Sequence, residues 1–201
     1  MSIMRRVLLS AMAVLLFILS ADTVSSDASA QGSTQTDKRL QPFTLSSPDF
    51  HDGGSLPATS EYGGGFGCNG ENIAPTLNWD SVPPQTSSFA LVMNDVDAAV
   101  AGGFHHWIVY NIPPSARALQ GNAPYTEGTN SLNTRSYFGP CPPPTGQEHH
   151  YIFTLYALTI NHLQKEGLTY DGLIQAINGQ VVGATTIIGT FRRVPPGTLS
   201  N

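Results

Sequence analysis

Asn94–Asn111 reads NDVDAAVAGGFHHWIVYN, and its reading governs the rest of the chain. Asp95 and Asp97 follow the apolar run Phe89–Met93, so they fall where a strand runs out into a loop. Gly102 and Gly103 let the chain turn sharply. His106–Tyr110 then carries apolar residues on both faces, the mark of a buried strand. Polar side chains at the ends of buried strands, facing one another across loops, are a usual way to build a site on a rigid base.

A second cluster, Tyr137–Tyr151, reads YFGPCPPPTGQEHHY and runs into the apolar stretch IFTLYAL. A loop rich in Gly and Pro again delivers a His-His pair to the mouth of a strand. Neighbouring strand residues point to opposite faces, so each pair can send only one member into a shared pocket. That alternation puts His149 and Tyr151 on one face and His150 on the other, and it argues against a four-histidine metal cage.

Outside these clusters, 20 Gly and 15 Pro punctuate short apolar runs. Strands are expected at Phe43–Leu45, Leu77–Trp79, Phe89–Met93, His106–Ile112, Tyr151–Leu158 and Thr185–Phe191. Their spacing and turn-rich separators predict an all-β, antiparallel sandwich. Thr169–Asn178 alone has helical periodicity, with Gly179 as its stop.

Residues 1–30 read as a cleaved signal peptide. Arg5 and Arg6 precede the apolar run Val7–Leu19, and Ala28-Ser29-Ala30 fits a small-x-small cleavage site. The run is too short to span a bilayer, which takes about 20 residues, although an uncleaved anchor is the alternative. The mature chain is then expected to be periplasmic or secreted, with a flexible N-terminus over 31–39 and a single domain over 40–201. Removing Arg5, Arg6, Asp22 and Asp27 with the leader leaves the formal net charge at −5. Charged residues are 11% of the chain, against about 25% in an ordinary domain. No basic stripe is present to attract nucleic acid or anionic head groups by bulk charge.

The two cysteines, Cys68 in GFGCNGEN and Cys141 in GPCPPP, sit in loops of an exported chain, which suggests one disulfide. Two free thiols are the alternative; CxxC redox or zinc spacing is absent. Asp95, His106, His149 and Tyr151 form the candidate set. Three readings compete: a small anion pocket with His, Tyr and loop N–H donors, a metal or His/Asp-dependent hydrolase, and a Ser/His/Asp hydrolase. The last lacks a G-x-S-x-G elbow, and the metal reading lacks H-x-H or H-E-x-x-H spacing.

The ordered motifs NGENIAPTLNWDSVP, SFALVMNDVDA, GFHHWIVYNIP and YFGPCPPPTGQEHHYIFTLYAL resemble the signatures of the phosphatidylethanolamine-binding protein family. Nearest is its bacterial and archaeal, Raf kinase inhibitor-like branch. The resemblance covers residues 40 to 193. It implies a β-sandwich of two antiparallel sheets with Greek-key connections and few short helices. It also implies a small pocket for phosphate, acetate or a phospholipid head group, with no cofactor and no metal. Asp95 and Asp97 match the aspartates of the family's D-P-D-x-P, and His106 matches its pocket histidine. Gly139 and Pro140 match a G-x-P-P stretch whose backbone lines the pocket, and His149 and Tyr151 match H-R-Y. The resemblance also brings the two cysteine loops to one end of the sandwich, making Cys68 and Cys141 neighbours.

Several positions depart from the pattern. Val96 replaces a proline, Ala98-Ala99 replaces Ala-Pro, and His150 stands where an arginine is usual. Gln180 follows Gly179 where a Gly-His pair is usual. Beyond Arg193 no counterpart remains of the C-terminal helix that covers the pocket in animal members, which implies an open pocket. The family's roles span kinase inhibition, protease inhibition, lipid binding and plant flowering signals. For an exported chain the expectation is a non-enzymatic binding or inhibitor protein with an anion pocket. A hydrolase, or a sandwich that docks a protein through an external loop, is the alternative. Ordinary histidines titrate near 6.5, so protonated His106 or His149 is expected to tighten anion binding as pH falls from about 7.5 to 5.5.

Overall fold

The structure, a computed structural model, describes residues 41–119 and 124–195. The expected signal peptide and flexible N-terminus lie outside the described residues, as do the last residues, on which the expected open pocket rests. The described chain runs β1 (Thr44–Ser46), β2 (Gly54–Ser55), a 3-10 turn (Ala58–Ser60), β3 (Leu77–Asp80), β4 (Ser88–Asp95), β5 (Phe104–Ile112) and β6 (Ala118–Leu119). It continues with β7 (Thr126–Glu127), β8 (Glu148–Leu158), α1 (Tyr170–Ala176) and β9 (Val181–Arg192). All six expected strands are present. The longest extend past their apolar runs, so Asp95 and His149 are strand residues rather than loop residues.

Two sheets form, one of three strands in the order β1-β3-β6 and one of six in the order β2-β9-β8-β4-β5-β7. Within the larger sheet β8 returns to lie beside β4, giving the order β8-β4-β5-β7 of a Greek key. Among the described strands only the two-residue edge strand β2 pairs in parallel, with β9.

Alternation along β4 explains the layering. Phe89, Leu91 and Met93 face the small sheet and pack with Leu77, Trp79 and Leu119. Ala90 and Val92 face the other way, into a second core with Ile108, Tyr110, Leu173 and Ile177. The large sheet is therefore buried on both faces, which is why β4 reads as a continuous apolar run. The outer cover is α1, capped by Thr169, whose side chain accepts from Gly172 N–H at 3.3 Å.

Candidate functional site

The fold places five of the sequence-predicted residues, Asp95, Asp97, His106, His149 and Tyr151, around one cavity of about 270 Å³. β4 and β8 run side by side with Asp95 opposite Tyr151. Period-2 geometry then puts Asp95, Tyr151 and His149 on the same face, turned toward the small sheet. His149 Nδ1–H donates to Asp95 Oδ2 at 2.8 Å, and both side chains are buried. The other oxygen, Asp95 Oδ1, accepts from the Asp97 N–H at 2.9 Å.

His106 arrives by a different route. Met93 pairs with Trp107 and Asn94 with His105, which leaves His106 as the extra residue of a β-bulge. Strict alternation from Trp107 would send His106 toward α1. The bulge turns it back into the cavity, a common use of bulges beside sites. His105 goes to the outer face, where its ring stacks on Tyr170 at 4.0 Å. Each His-His pair thus contributes one member, as expected, but for two physical reasons: a bulge in β5 and plain alternation in β8.

The two inner histidines differ electrostatically. His106 Nδ1–H donates to the Phe138 carbonyl at 2.8 Å, which leaves Nε2 as an acceptor while the ring is neutral. Burial pulls its pKa down to about 4, against the opposing pull of the Phe138 carbonyl and the Asp95 charge. His106 therefore stays uncharged from pH 7.5 to 5.5 and cannot supply the charged donor expected of it there. Tyr151 is fully buried, and its hydroxyl has no hydrogen-bond partner of good geometry among the described residues. Burial first, and then the Asp95 charge, drive its pKa far up, so it remains a donor. Asp97 stands at the rim and accepts from the His150 N–H at 2.7 Å and from His150 Nδ1–H at 2.8 Å. The bond to the His150 side chain is the main cause of its lowered pKa. His150 thus occupies the outer face, as expected, and is held by the rim carboxylate.

The opposite wall is made of loops. Phe138, Cys141, Pro142 and Pro143 line it. Gly139 and Pro140 are not among the lining residues, although the Gly139 backbone lies against the His106 ring. Gly139 presses on the 3-10 turn: a Cβ there would meet the Ser60 carbonyl at 2.0 Å. Asn72 fixes this strap at two points, donating to Tyr137 O at 3.2 Å and accepting from Gly139 N–H at 2.8 Å. The expected Cys68–Cys141 disulfide is formed, with Cα atoms 5.9 Å apart. Arg193 reinforces it, donating to Pro142 O at 3.0 Å and to Gly67 O, and pairing with Glu61 at 3.4 Å.

Asn72, Phe104, Phe138 and Arg193 went unnoticed in the sequence as parts of the site. Asn72 had a signal, since NGEN matched a family motif; Arg193 had none, because its partners lie in loops far away in sequence. Among the described residues no three His, Cys, Asp or Glu side chains converge as metal ligands do. No described helix is long and apolar enough to cross a membrane.

A β-sandwich with one small pocket of imidazole, carboxylate and phenol groups at the strand ends defines a compact binding module. The family model described as phosphatidylethanolamine-binding protein matches residues 46–192, and the chain belongs to that family, in its bacterial and archaeal branch. A UPF0098 protein of Methanothermobacter thermautotrophicus is 36% identical over 159 residues, covering 75% of this chain and 99% of its own. LppC of Mycobacterium tuberculosis, described as a candidate lipoprotein, is 40% identical over 154 residues, covering 75% and 73%. The crystal structure of Escherichia coli YbcL, described as a member of the mammalian PEBP family, superposes with a TM-score of 0.70 at 28% identity. It covers 76% of this chain and 99% of that one.

Proposed function

We propose that the chain is an exported, single-domain binding protein whose pocket takes a phosphate monoanion, free or as a phosphomonoester head group. The observation that carries this is the convergence of His106, His149 and Tyr151 on one small cavity, with Asp95 behind His149 at 2.8 Å. Tyr151 would donate to a phosphate oxygen. Neutral His106, with Nδ1 engaged by Phe138, offers Nε2 to a P–OH. His149, oriented by Asp95, presents its other ring nitrogen. A phosphomonoester dianion has no proton for His106, and any dianion is repelled by Asp95 more strongly than a monoanion is, so the pocket selects the monoanion. Support for export comes from the disulfide and from similarity to a candidate lipoprotein.

Calorimetric titration with inorganic phosphate and with phosphoethanolamine tests the reading. Binding should be one-to-one and tighten from pH 7.5 to 5.5, because the second phosphomonoester pKa is about 6. Tyr151→Phe should weaken it about tenfold, the equivalent of about 1.4 kcal/mol. Undiminished binding by Tyr151→Phe, or no saturable binding by the parent protein, would overturn it.

A further inference from the structure

A sheet edge exposes a row of N–H and C=O groups that can pair with another strand, and native folds usually cover or blunt it. In the large sheet the chain after β7 closes one edge: Gly128 and Ser131 N–H donate to the Ile108 and His105 carbonyls at 2.7 and 2.9 Å. The opposite edge belongs to β9, and only its second half is closed. Gly53 N–H donates to Ile188 O at 2.7 Å, Leu56 N–H donates to Thr190 O at 2.8 Å, and Ile188 N–H donates to Asp52 Oδ1 at 2.9 Å.

The register of β9 against β8 is unbroken from Ala184 to Arg192. Period-2 geometry therefore turns the backbone groups of Ala184 and Thr186 to the same outer edge as those of Ile188. Both residues are exposed, and their N–H and C=O groups have no hydrogen-bond partner among the described residues. Nothing in the sequence of this strand discourages pairing. From Val181 to Phe191 it has no charge and no proline, and most positions are Val, Thr or Ile. Its one irregularity is a bulge at Val182, opposite Ala157 and Leu158, which limits the regular open edge to the residues after it.

We infer that this edge pairs with the same edge of a second copy of the chain, antiparallel about a twofold axis at Thr185. Ala184 of each copy then lies opposite Thr186 of the other, and each of these two pairs exchanges two backbone N–H···O bonds. The two six-stranded sheets become one continuous sheet. A second copy fits better than a foreign strand for three reasons. Thr185 meets Thr185 on the axis in the closer, non-hydrogen-bonded position, where Thr–Thr pairs are favourable. The formal net charge is −5, yet this strand brings no like charges face to face. The contact is isologous and uses up the open edge, so assembly stops at the dimer instead of growing into a fibre.

Sedimentation of the exported protein from about 10 μM to 1 mM should show reversible monomer–dimer exchange. So short a ladder makes a weak dimer, with a dissociation constant of about 100 μM. As the dimer forms, hydrogen exchange of the Ala184 and Thr186 amides should slow, while that of Thr185, which faces β8, stays slow throughout. Ala184→Pro removes an outward N–H where an edge strand tolerates proline, and Thr186→Lys puts a charge on the edge. Each should raise the dissociation constant at least tenfold. Ala184 and Thr186 lie beside Tyr156 and Thr154, away from His149 and Tyr151, so Thr186→Lys should bind phosphate as the parent does. A protein still monomeric at about 1 mM would overturn the inference, as would a dimer as tight in Thr186→Lys as in the parent. Ala184 and Thr186 amides already slow in the dilute monomer would overturn it too, since another part of the chain would then cover the edge.

Discussion

The phosphate pocket has two walls built in opposite ways. Asp95, His106, His149 and Tyr151 stand on three adjacent strands whose ladder hydrogen bonds fix their spacing. The facing wall, Phe138 to Pro143, has no ladder. It is held by one disulfide, by Arg193 and by the two bonds of Asn72. The strand wall carries the groups that would touch a ligand and inherits its rigidity from the core. The loop wall shapes the cavity and depends on a few discrete links. A rigid scaffold with an adjustable rim is how many folds combine stability with recognition, and here the contrast can be broken one link at a time.

Cutting the disulfide should have the largest effect. It joins positions 73 apart in sequence, and a closed loop of that size contributes about 4 kcal/mol in the chain-entropy model. Urea unfolding with and without reductant should show a midpoint drop of that order, and reduced protein should also bind phosphate more weakly because the loop wall loosens. A change below about 1 kcal/mol would mean that the hydrogen bonds of the wall, those of Arg193, Asn72 and His106 among them, hold it without the disulfide.

Next comes acid. The folded pKa of His106, about 4, is depressed below its ordinary 6.5, so the unfolded chain binds the proton first. Stability from this group is complete above pH 6.5 and is lost as pH falls from there to about 4, on the order of 3 kcal/mol in all. Urea midpoints across that range should fall in the parent protein and fall less in His106→Gln. Parallel slopes would show that His106 does not titrate as its burial dictates.

Asp95→Ala attacks the strand wall directly. It leaves buried His149 and the Asp97 N–H without their acceptor, costing about 2 kcal/mol. It should weaken phosphate binding at least tenfold, because His149 loses its orientation. A folded variant that binds phosphate as tightly as the parent would remove Asp95 from the site.

The two walls also differ in how far sequence alone reveals them. His149 and Tyr151 could be assigned to one face because a strand has a fixed period, and Asp95 because it ends an apolar run. His106 entered the candidate set as a histidine at a strand mouth and the family resemblance then matched it, but the bulge that turns it inward leaves no mark in the local pattern. Its neutrality was equally hidden, since burial is a property of the assembled core rather than of GFHHW. On the loop wall, Cys68 and Cys141 were legible as a pair because export favours disulfides. The close packing of Gly139 on the Ser60 carbonyl and of Pro140 on the Tyr62 N–H was not, because both contacts join segments far apart in sequence.

The smallest effect should come at the rim, where Asp97 and His150 repeat the carboxylate–imidazole pairing of Asp95 and His149 in water. The distances match at 2.8 Å, but the side chains are 30% and 48% exposed instead of 5% and 8%. Solvent screens the outer pair, and exposed ion pairs contribute about 0.2–1 kcal/mol. Asp97 has a pKa held below the ordinary carboxylate value chiefly by the His150 side chain. Its contribution is therefore present above the ordinary carboxylate pKa and is lost as pH falls through the depressed one. Asp97→Asn should cost about 0.5 kcal/mol near neutral pH and change phosphate affinity less than about twofold, or about 0.4 kcal/mol. Urea unfolding and phosphate titration of Asp97→Asn beside Asp95→Ala would measure the same pairing at two depths. If the rim variant proved as damaging as the buried one, burial would not be what sets the two pairs apart, and Asp97 would have to be counted among the groups that hold the ligand.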